Sequence, residues 1–129
     1  MSSQSENRPW PTELRLSKDG KTLTIAFEGG ERYALSAEYL RVKSPSAEVQ
    51  GHSPAERQTV PGKRDVMITE IQPIGNYAVR LTFDDMHSTG IFSWDYFAEL
   101  GRGLEKYWAE YLDELAAKGL TRDPAARKK

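Results

Sequence analysis

Residues 23–40 read LTIAFEGGERYALSAEYL, and this stretch gives the clearest indication of the fold. Apolar side chains alternate with polar ones on both sides of the Gly29-Gly30 pair, namely at Leu23, Ile25, Phe27, Tyr33 and Leu35. Such alternation is typical of strands that bury one face, and a glycine pair between two strands is a turn signal. The hydroxyl of Ser36 can cap a short helix that follows and runs to Leu40. The stretch therefore predicts a β-hairpin that leads directly into a capped helix.

A second stretch, residues 79–97, repeats this pattern. The matching pairs are Phe27 with Phe83, Leu35 with Ile91 and, after one inserted residue, Ser36 with Ser93. In the second stretch Asp84-Asp85 supplies the turn, and Ser93 caps a helix with an acidic first turn, which suits the helix dipole. We therefore predict two similar hairpin-plus-helix units that share one mainly antiparallel sheet, with helices covering one face.

Further elements are predicted on either side of these units. Leu14 and Leu16 alternate ahead of an Asp19-Gly20 turn, which indicates one more strand. Near the other end, Gly101 and Gly103 are expected to interrupt the helix. Apolar residues then recur at helical spacing, at Leu104, Tyr107, Trp108, Tyr111, Leu112 and Leu115. The predicted fold class is α+β, with this C-terminal amphipathic helix packed on the sheet.

The chain length of 129 residues suits one domain. Residues 1–11 are polar and are expected to be disordered, residues 12–118 form the domain, and residues 119–129 form a disordered tail. Residues 42–65 contain three prolines and two glycines and have no regular periodicity, which predicts a long loop. Loops of this length are usually either binding elements or places where order fails.

Composition excludes several classes of function. The formal net charge of -1 offers no positive field for nucleic acid. No apolar run is long enough to span a membrane, and the polar start lacks the apolar segment of a signal peptide, so we expect a cytoplasmic protein. The chain has no cysteine, which excludes disulfides, thiolate nucleophiles and cysteine-ligated zinc.

Three stretches of the chain read LRVKSPSAEVQGH (residues 40–52), PIGNYAVRL (residues 73–81) and FDDMHSTGIFSWDY (residues 83–96). In this order they resemble the small bacterial members of the gamma-butyrobetaine hydroxylase-like N-terminal domain family, and the resemblance extends from Leu14 to Gly101. It implies the α+β fold and a small domain that stands alone, without a hydroxylase. In the carnitine-pathway hydroxylases this domain precedes a non-haem iron dioxygenase domain and binds a structural zinc through three cysteines and a histidine.

The zinc ligands that the resemblance implies are mostly missing here. The Cys-x-Cys pair of the family falls on Ser44-Pro45-Ser46, the third cysteine falls near Val49, and only the histidine is kept, as His87. The resemblance therefore implies the fold of the family but not its bound zinc. A related domain is fused to P-loop ATPases of the iron–sulfur cluster carrier type, which implies a protein partner of that kind by analogy.

Asp84, Asp85 and His87 are the candidate ligands of a metal ion, with His52 as a further one, because hard and borderline cations accept carboxylate and imidazole donors. The alternative is that the two aspartates only satisfy backbone N–H groups of the turn. Neither histidine begins the His-x-Asp/Glu pattern of a two-histidine-one-carboxylate iron site, and the chain lacks both a Gly-x-Ser-x-Gly elbow and a phosphate loop. We therefore expect no catalysis and no bound cofactor.

The candidate partner-binding residues lie in the long loop and at the start of the second helix: Ser44, Ser46, Glu48, His52, Trp94 and Tyr96. Aromatic residues are frequent at interfaces, although core packing is the expected role of most of them here. Three hypotheses for the function follow. The chain is a binding or adaptor module linked to iron–sulfur cluster assembly or carrier proteins, a metal- or small-ligand-binding protein, or a self-associating structural domain that forms a homodimer.

Overall fold

The computed structural model describes residues 10–45, 59–85 and 90–124, and these residues form an α+β fold. Residues 1–9, 46–58, 86–89 and 125–129 lie outside this description. The strands and helices are β1 Pro11–Leu16, β2 Thr22–Phe27, β3 Arg32–Ser36, α1 Ala37–Val42, β4 Ile68–Ile74, β5 Ala78–Phe83, β6 Ile91–Ser93, α2 Trp94–Arg102 and α3 Leu104–Ala117. The predicted fold class is confirmed: each of two hairpins leads into a helix, and the C-terminal helices pack on the sheets.

The strands form two antiparallel sheets instead of the single sheet that the sequence predicts. Their orders are β1-β2-β3 and β4-β5-β6. The sheets touch at the β1–β2 turn, where the N–H of Ile68 donates to the carbonyl of Gly20 at 2.7 Å. Gly20 has a φ of 74°, and a Cβ there would lie 2.7 Å from the carbonyl oxygen of Ile68. Because β4 starts against a turn and does not run beside a strand edge, the two sheets stay separate.

The internal repeat is real, but one of the predicted pairs is wrong. Leu23 lies opposite Leu35 in the first hairpin, and Val79 lies opposite Phe92 in the second. Leu35 and Phe92 are both fully buried, whereas Ile91 is 38% exposed. The extra residue of the second hairpin therefore lies before Ile91, within the β5–β6 connection, and Leu35 corresponds to Phe92. The strand register decides this because a shift of one residue moves a side chain to the other face.

Both predicted helix caps are present. The Ser36 hydroxyl accepts a hydrogen bond from the N–H of Tyr39 at 3.0 Å, and the Ser93 hydroxyl accepts one from the N–H of Tyr96 at 3.1 Å. Each serine occupies extended backbone immediately before its helix. These contacts satisfy donors that a helix N-terminus otherwise leaves without partners.

The core lies between the inner faces of the two sheets and the helices. Its largest fully buried side chains are Tyr39, Phe83, Phe92, Phe97, Leu23, Ile25, Leu35, Leu40, Leu81 and Leu100. The Phe92 ring lies 5.5 Å from the Phe97 ring, on which it stacks, and 5.9 Å from the Tyr96 ring, so aromatic contacts join β6 to α2. Most of the aromatic residues therefore serve the core or pack against it, which agrees with the expected role.

Of the two glycines predicted to interrupt the helix, only Gly103 does so. Helix α2 ends at Arg102, Gly103 caps it, and α3 begins at the next residue. Gly101 lies inside α2, and a Cβ there would lie 2.3 Å from the Tyr33 ring. Its role is to admit that ring against the helix.

Residues 119–124, assigned to a disordered tail by the sequence, make defined contacts. The carbonyl of Thr121 accepts from the N–H of Gly62 at 2.9 Å, and the carbonyl of Arg122 accepts from the N–H of Arg64 at 2.9 Å. The Arg122 guanidinium also binds the buried Glu38 carboxylate through two hydrogen bonds of 2.8 and 2.7 Å. This segment thus joins the end of the long loop to α1. No helix in the described ranges is long and apolar enough to cross a bilayer.

Candidate functional site

The structure brings the end of α1, the end of the long loop and the β5–β6 turn together. We call this place the junction and define it by Arg41, Ser44, Lys63, Asp85 and Gly90. Arg41 Nε lies 2.8 Å from Asp85 Oδ2, and Lys63 Nζ lies 2.5 Å from the same oxygen. The described parts of the loop and of the turn therefore lie side by side.

Ser44 and Gly90 form the buried part of the junction. Ser44 is fully buried, and a Cβ added to Gly90 would lie 2.4 Å from its hydroxyl oxygen. Glycine at position 90 is required for this approach, because any side chain there would displace Ser44 or the strand. Ser44 consequently contributes no surface to a partner in this structure.

Two tyrosine hydroxyls hold the chain on either side of residues 46–58. The Tyr96 hydroxyl donates to the carbonyl of Lys43 at 2.5 Å, and the Tyr111 hydroxyl donates to the carbonyl of Val60 at 2.6 Å. Burial, and then the charge of Glu38, raises the pKa of Tyr111 to about 12, so its hydroxyl stays a donor at neutral pH. The chain is therefore held at Lys43, before residues 46–58, and at Val60, after them.

The charges at the junction are unequal. Among the described residues of the junction, Arg41 and Lys63 share a single oxygen of Asp85, which sets two positive charges against one negative charge. Arg41 Nη1 is buried and has no hydrogen-bond acceptor within the part of the chain that the structure describes. A buried donor without a partner costs about 1–3 kcal/mol, and more when it is charged.

The candidate metal ligands have other contacts where they are described. Asp84 Oδ1 accepts from the N–H of Met67 at 3.1 Å, as expected if this aspartate serves the turn. Asp85 is bound by the two cations. His52 and His87 lie outside the described residues. No group of three or more metal-ligating side chains occurs among residues 10–45, 59–85 and 90–124, and a site that includes the two histidines stays a prediction.

The structure does not fit the cysteine-ligated zinc of the hydroxylase relatives. The sequence has no cysteine, and the residue at the first cysteine position, Ser44, offers only a buried neutral hydroxyl. A thiolate or a deprotonated ligand is what zinc selects, and a serine hydroxyl is a poor substitute. The carboxylate of Asp85, at the same junction, is already bound to Arg41 and Lys63.

The structure describes some of the predicted partner-binding residues and not others. Ser46, Glu48 and His52 lie outside the described residues. Trp94 is half-buried and its indole N–H donates to the carbonyl of Asn76 at 2.9 Å. Tyr96 is also half-buried, with its hydroxyl bound to Lys43 and its ring 5.9 Å from that of Phe92. Both aromatic residues therefore have structural roles and expose only part of their rings.

Sequence reasoning missed Arg41 and Lys63, the two cations of the junction. They are separated from Asp85 by 44 and 22 residues, and no motif spacing connects them. Arg41 directly precedes the long loop and Lys63 lies near its end, so their sequence positions carry no signal that they meet.

The chain is similar to one protein family over most of its length. The family described as gamma-butyrobetaine hydroxylase-like, N-terminal, matches residues 14–98. No functionally curated protein is significantly similar to this chain.

Several solved structures are also similar to this chain. Two solution NMR structures have TM-scores of 0.79 and 0.78 and sequences 44% and 41% identical to this one. The match to the first structure covers 94% of this chain and 95% of that one. The match to the second covers 100% of this chain and 98% of that one. A crystal structure of a DUF971-family protein of unknown function from Acidithiobacillus ferrooxidans has a TM-score of 0.59 at 36% identity, over 70% of this chain and 91% of that one.

Proposed function

The chain belongs to the gamma-butyrobetaine hydroxylase-like N-terminal family, and from this premise we propose that it is a non-catalytic binding module whose junction contacts a protein partner. The observation that carries the proposal is the convergence at Asp85. Two connections far apart in sequence meet there, held by Arg41 and Lys63. Binding residues are typically carried on connections that a rigid frame positions.

The frame at this surface is rigid for a physical reason. Tyr96 fixes the chain before residues 46–58, and Tyr111 fixes it after them. Arg122 also makes a bidentate contact with Glu38, whose side chain is only 5% exposed. A loop that is held at both ends can meet a partner with a smaller loss of conformational entropy than a free segment of equal length.

The partner class comes from the resemblance alone. Because a related domain is fused to P-loop ATPases of the iron–sulfur carrier type, we propose such an ATPase, or another protein of iron–sulfur cluster assembly, as the partner. The domain would then act as an adaptor that holds the carrier near its client.

Isothermal titration calorimetry with a purified P-loop carrier tests this function. We expect saturable binding that Glu48→Arg in the long loop weakens about tenfold or more, as a charge reversal in an interface does. Glu110→Arg is the matched control, since Glu110 is exposed on α3, which contributes no residue to the junction. An absence of binding by the wild type, or equal losses in both variants, would contradict the proposal.

Self-association is a second proposal that one observation favours. Leu112 on α3 and Leu120 beyond it are 38% and 39% exposed, so part of the C-terminal face is apolar and open to solvent. A second copy of the chain could cover it. Sedimentation velocity over a range of concentrations measures this directly, and a single monomeric species at the highest concentration would remove the idea.

A further inference from the structure

The junction contains an arginine that uses only part of its binding capacity. Arg41 Nε donates to Asp85 Oδ2, while Nη1 is buried and donates to no acceptor in the described residues. A guanidinium presents its N–H groups as a planar fork that matches the two oxygens of a carboxylate or phosphate. A single bond through Nε leaves most of this fork unused.

Lys63 brings a second positive charge to the same place. Its ammonium lies 2.5 Å from the oxygen that Arg41 also contacts. The side chains of Lys63 and Asp85 are 21% and 20% exposed, whereas that of Arg41 is 11% exposed. A solute can therefore reach Lys63 and Asp85 from the solvent, whereas less of Arg41 is exposed.

We propose that Arg41 and Lys63 form a binding site for an oxyanion, either a carboxylate or a phosphate, and that Asp85 holds this site as an internal carboxylate in the free chain. An incoming oxyanion displaces Asp85 and gains both cations. Two positive charges then face the ligand, and the buried Nη1 gains an acceptor when the guanidinium turns toward it. Asp85 is a competitor for the site and not part of its binding groups.

The neighbouring residue Arg64 shows what distinguishes this site from an ordinary surface pair. Arg64 Nε contacts Asp123 Oδ1 at 2.5 Å, but the side chains are 45% and 62% exposed. Exposed pairs of this kind are screened by water and salt and attract little else. Arg64 is adjacent to Lys63 in sequence, so it provides a matched control of equal charge.

The test is an NMR titration of the full chain at constant ionic strength, with inorganic phosphate in one arm and succinate in the other. We expect the side-chain N–H of Arg41 Nε to shift saturably, and the arm that saturates at lower concentration identifies the oxyanion. Lys63→Gln should weaken the binding about tenfold, the value of one charge-assisted hydrogen bond. Asp85→Asn should strengthen it about tenfold by removing the competitor, and Arg64→Gln should leave it unchanged.

Two results would overturn the site. One is a shift that grows linearly without saturation in both arms. The other is an equal loss in Lys63→Gln and Arg64→Gln, which would mean that only net charge matters. If Asp85→Asn fails to fold, the comparison of Lys63→Gln with Arg64→Gln still tests the site, because both of these side chains are partly exposed. The probes are free anions, so the outcome does not depend on the protein partner proposed above.

Discussion

The two hairpin-and-helix units, residues 22–42 and 78–102, are built alike but continue differently. Each has a serine cap and the same strand register. The first hairpin closes through the short Gly29-Gly30 turn, and its helix leads into the long loop. The second hairpin has the longer connection after Asp84-Asp85, and its helix continues through Gly103 into α3. The shared parts form the frame, and two of the differing connections, the long loop and the β5–β6 turn, meet at the junction.

A reciprocal pair of hydrogen bonds joins the two units. Tyr39 lies three residues after the first cap and donates to the carbonyl of Leu100 at 2.7 Å. Tyr96 lies three residues after the second cap and donates to the carbonyl of Lys43 at 2.5 Å. Each helix thus supplies the donor for the last turn of the other, where carbonyls lack helical partners. The repeat consequently fixes the units against each other as well as shaping each one.

The largest expected effect tests the register of the repeat. Phe92→Ala should lower the free energy of unfolding by about 3–5 kcal/mol, because it removes a fully buried ring that stacks on Phe97. Ile91→Ala should cost less than about 1 kcal/mol, because Ile91 is 38% exposed. Urea unfolding followed by tryptophan fluorescence measures both. Equal losses of stability in the two variants would contradict the register of the second hairpin, which buries Phe92 and leaves Ile91 partly exposed.

The next effect concerns the segment that closes onto the first unit. Arg122→Ala should cost about 2–3 kcal/mol, because the nearly buried Glu38 carboxylate would lose both hydrogen bonds, and partial exposure of Arg122 moderates the loss. Arg64→Ala is the control and should cost less than about 1 kcal/mol, since its pair with Asp123 is exposed. Thermal unfolding measures both variants. Equal unfolding midpoints for Arg122→Ala and Arg64→Ala would contradict this role for residues 119–124.

A smaller effect tests the bond between the units. Tyr39→Phe should cost about 1 kcal/mol at neutral pH, the value of one hydrogen bond. Burial raises the pKa of Tyr39 well above its ordinary range. The unfolded chain therefore loses this proton first, and the stability that Tyr39 contributes is complete below about pH 10 and is lost as the pH rises further.

The alkaline slope of stability separates this contribution from packing. Urea unfolding between neutral pH and about pH 11 should show a shallower decline in Tyr39→Phe than in the wild type. Tyr111→Phe is the comparison, because the pKa of Tyr111 is also raised, to about 12. Identical slopes in wild type and Tyr39→Phe would show that Tyr39 does not resist deprotonation.

The smallest expected effect concerns metal. Elemental analysis by mass spectrometry, on protein purified without a tag or chelator, should give equal metal content in the wild type and in His87→Ala. The reason is that Asp85 is already bound to Arg41 and Lys63 and that the chain has no cysteine. Stoichiometric metal in the wild type that His87→Ala removes would establish His87 as a ligand and restore the metal-binding hypothesis.

The sequence predicted the local structure of both units well. Alternation and the serine caps predicted both hairpins and both helices, because these features depend on neighbouring residues. The pairing of Leu35 with Ile91 failed because Ile91 and Phe92 are both apolar and only the bonds between β5 and β6 select the buried one. The division into two sheets was also not predictable, since it depends on where Ile68 meets Gly20.

The elements, the repeat, the family resemblance and the absence of cysteine ligands follow from the sequence, because each is visible in short stretches or in composition. Which charges meet depends on the tertiary structure. It placed Arg41 and Lys63 on one oxygen of Asp85, buried Ser44 against Gly90 and bound Arg122 to Glu38. Contacts between residues 22 to 84 positions apart follow from the packing of two sheets and three helices, and no local pattern encodes them.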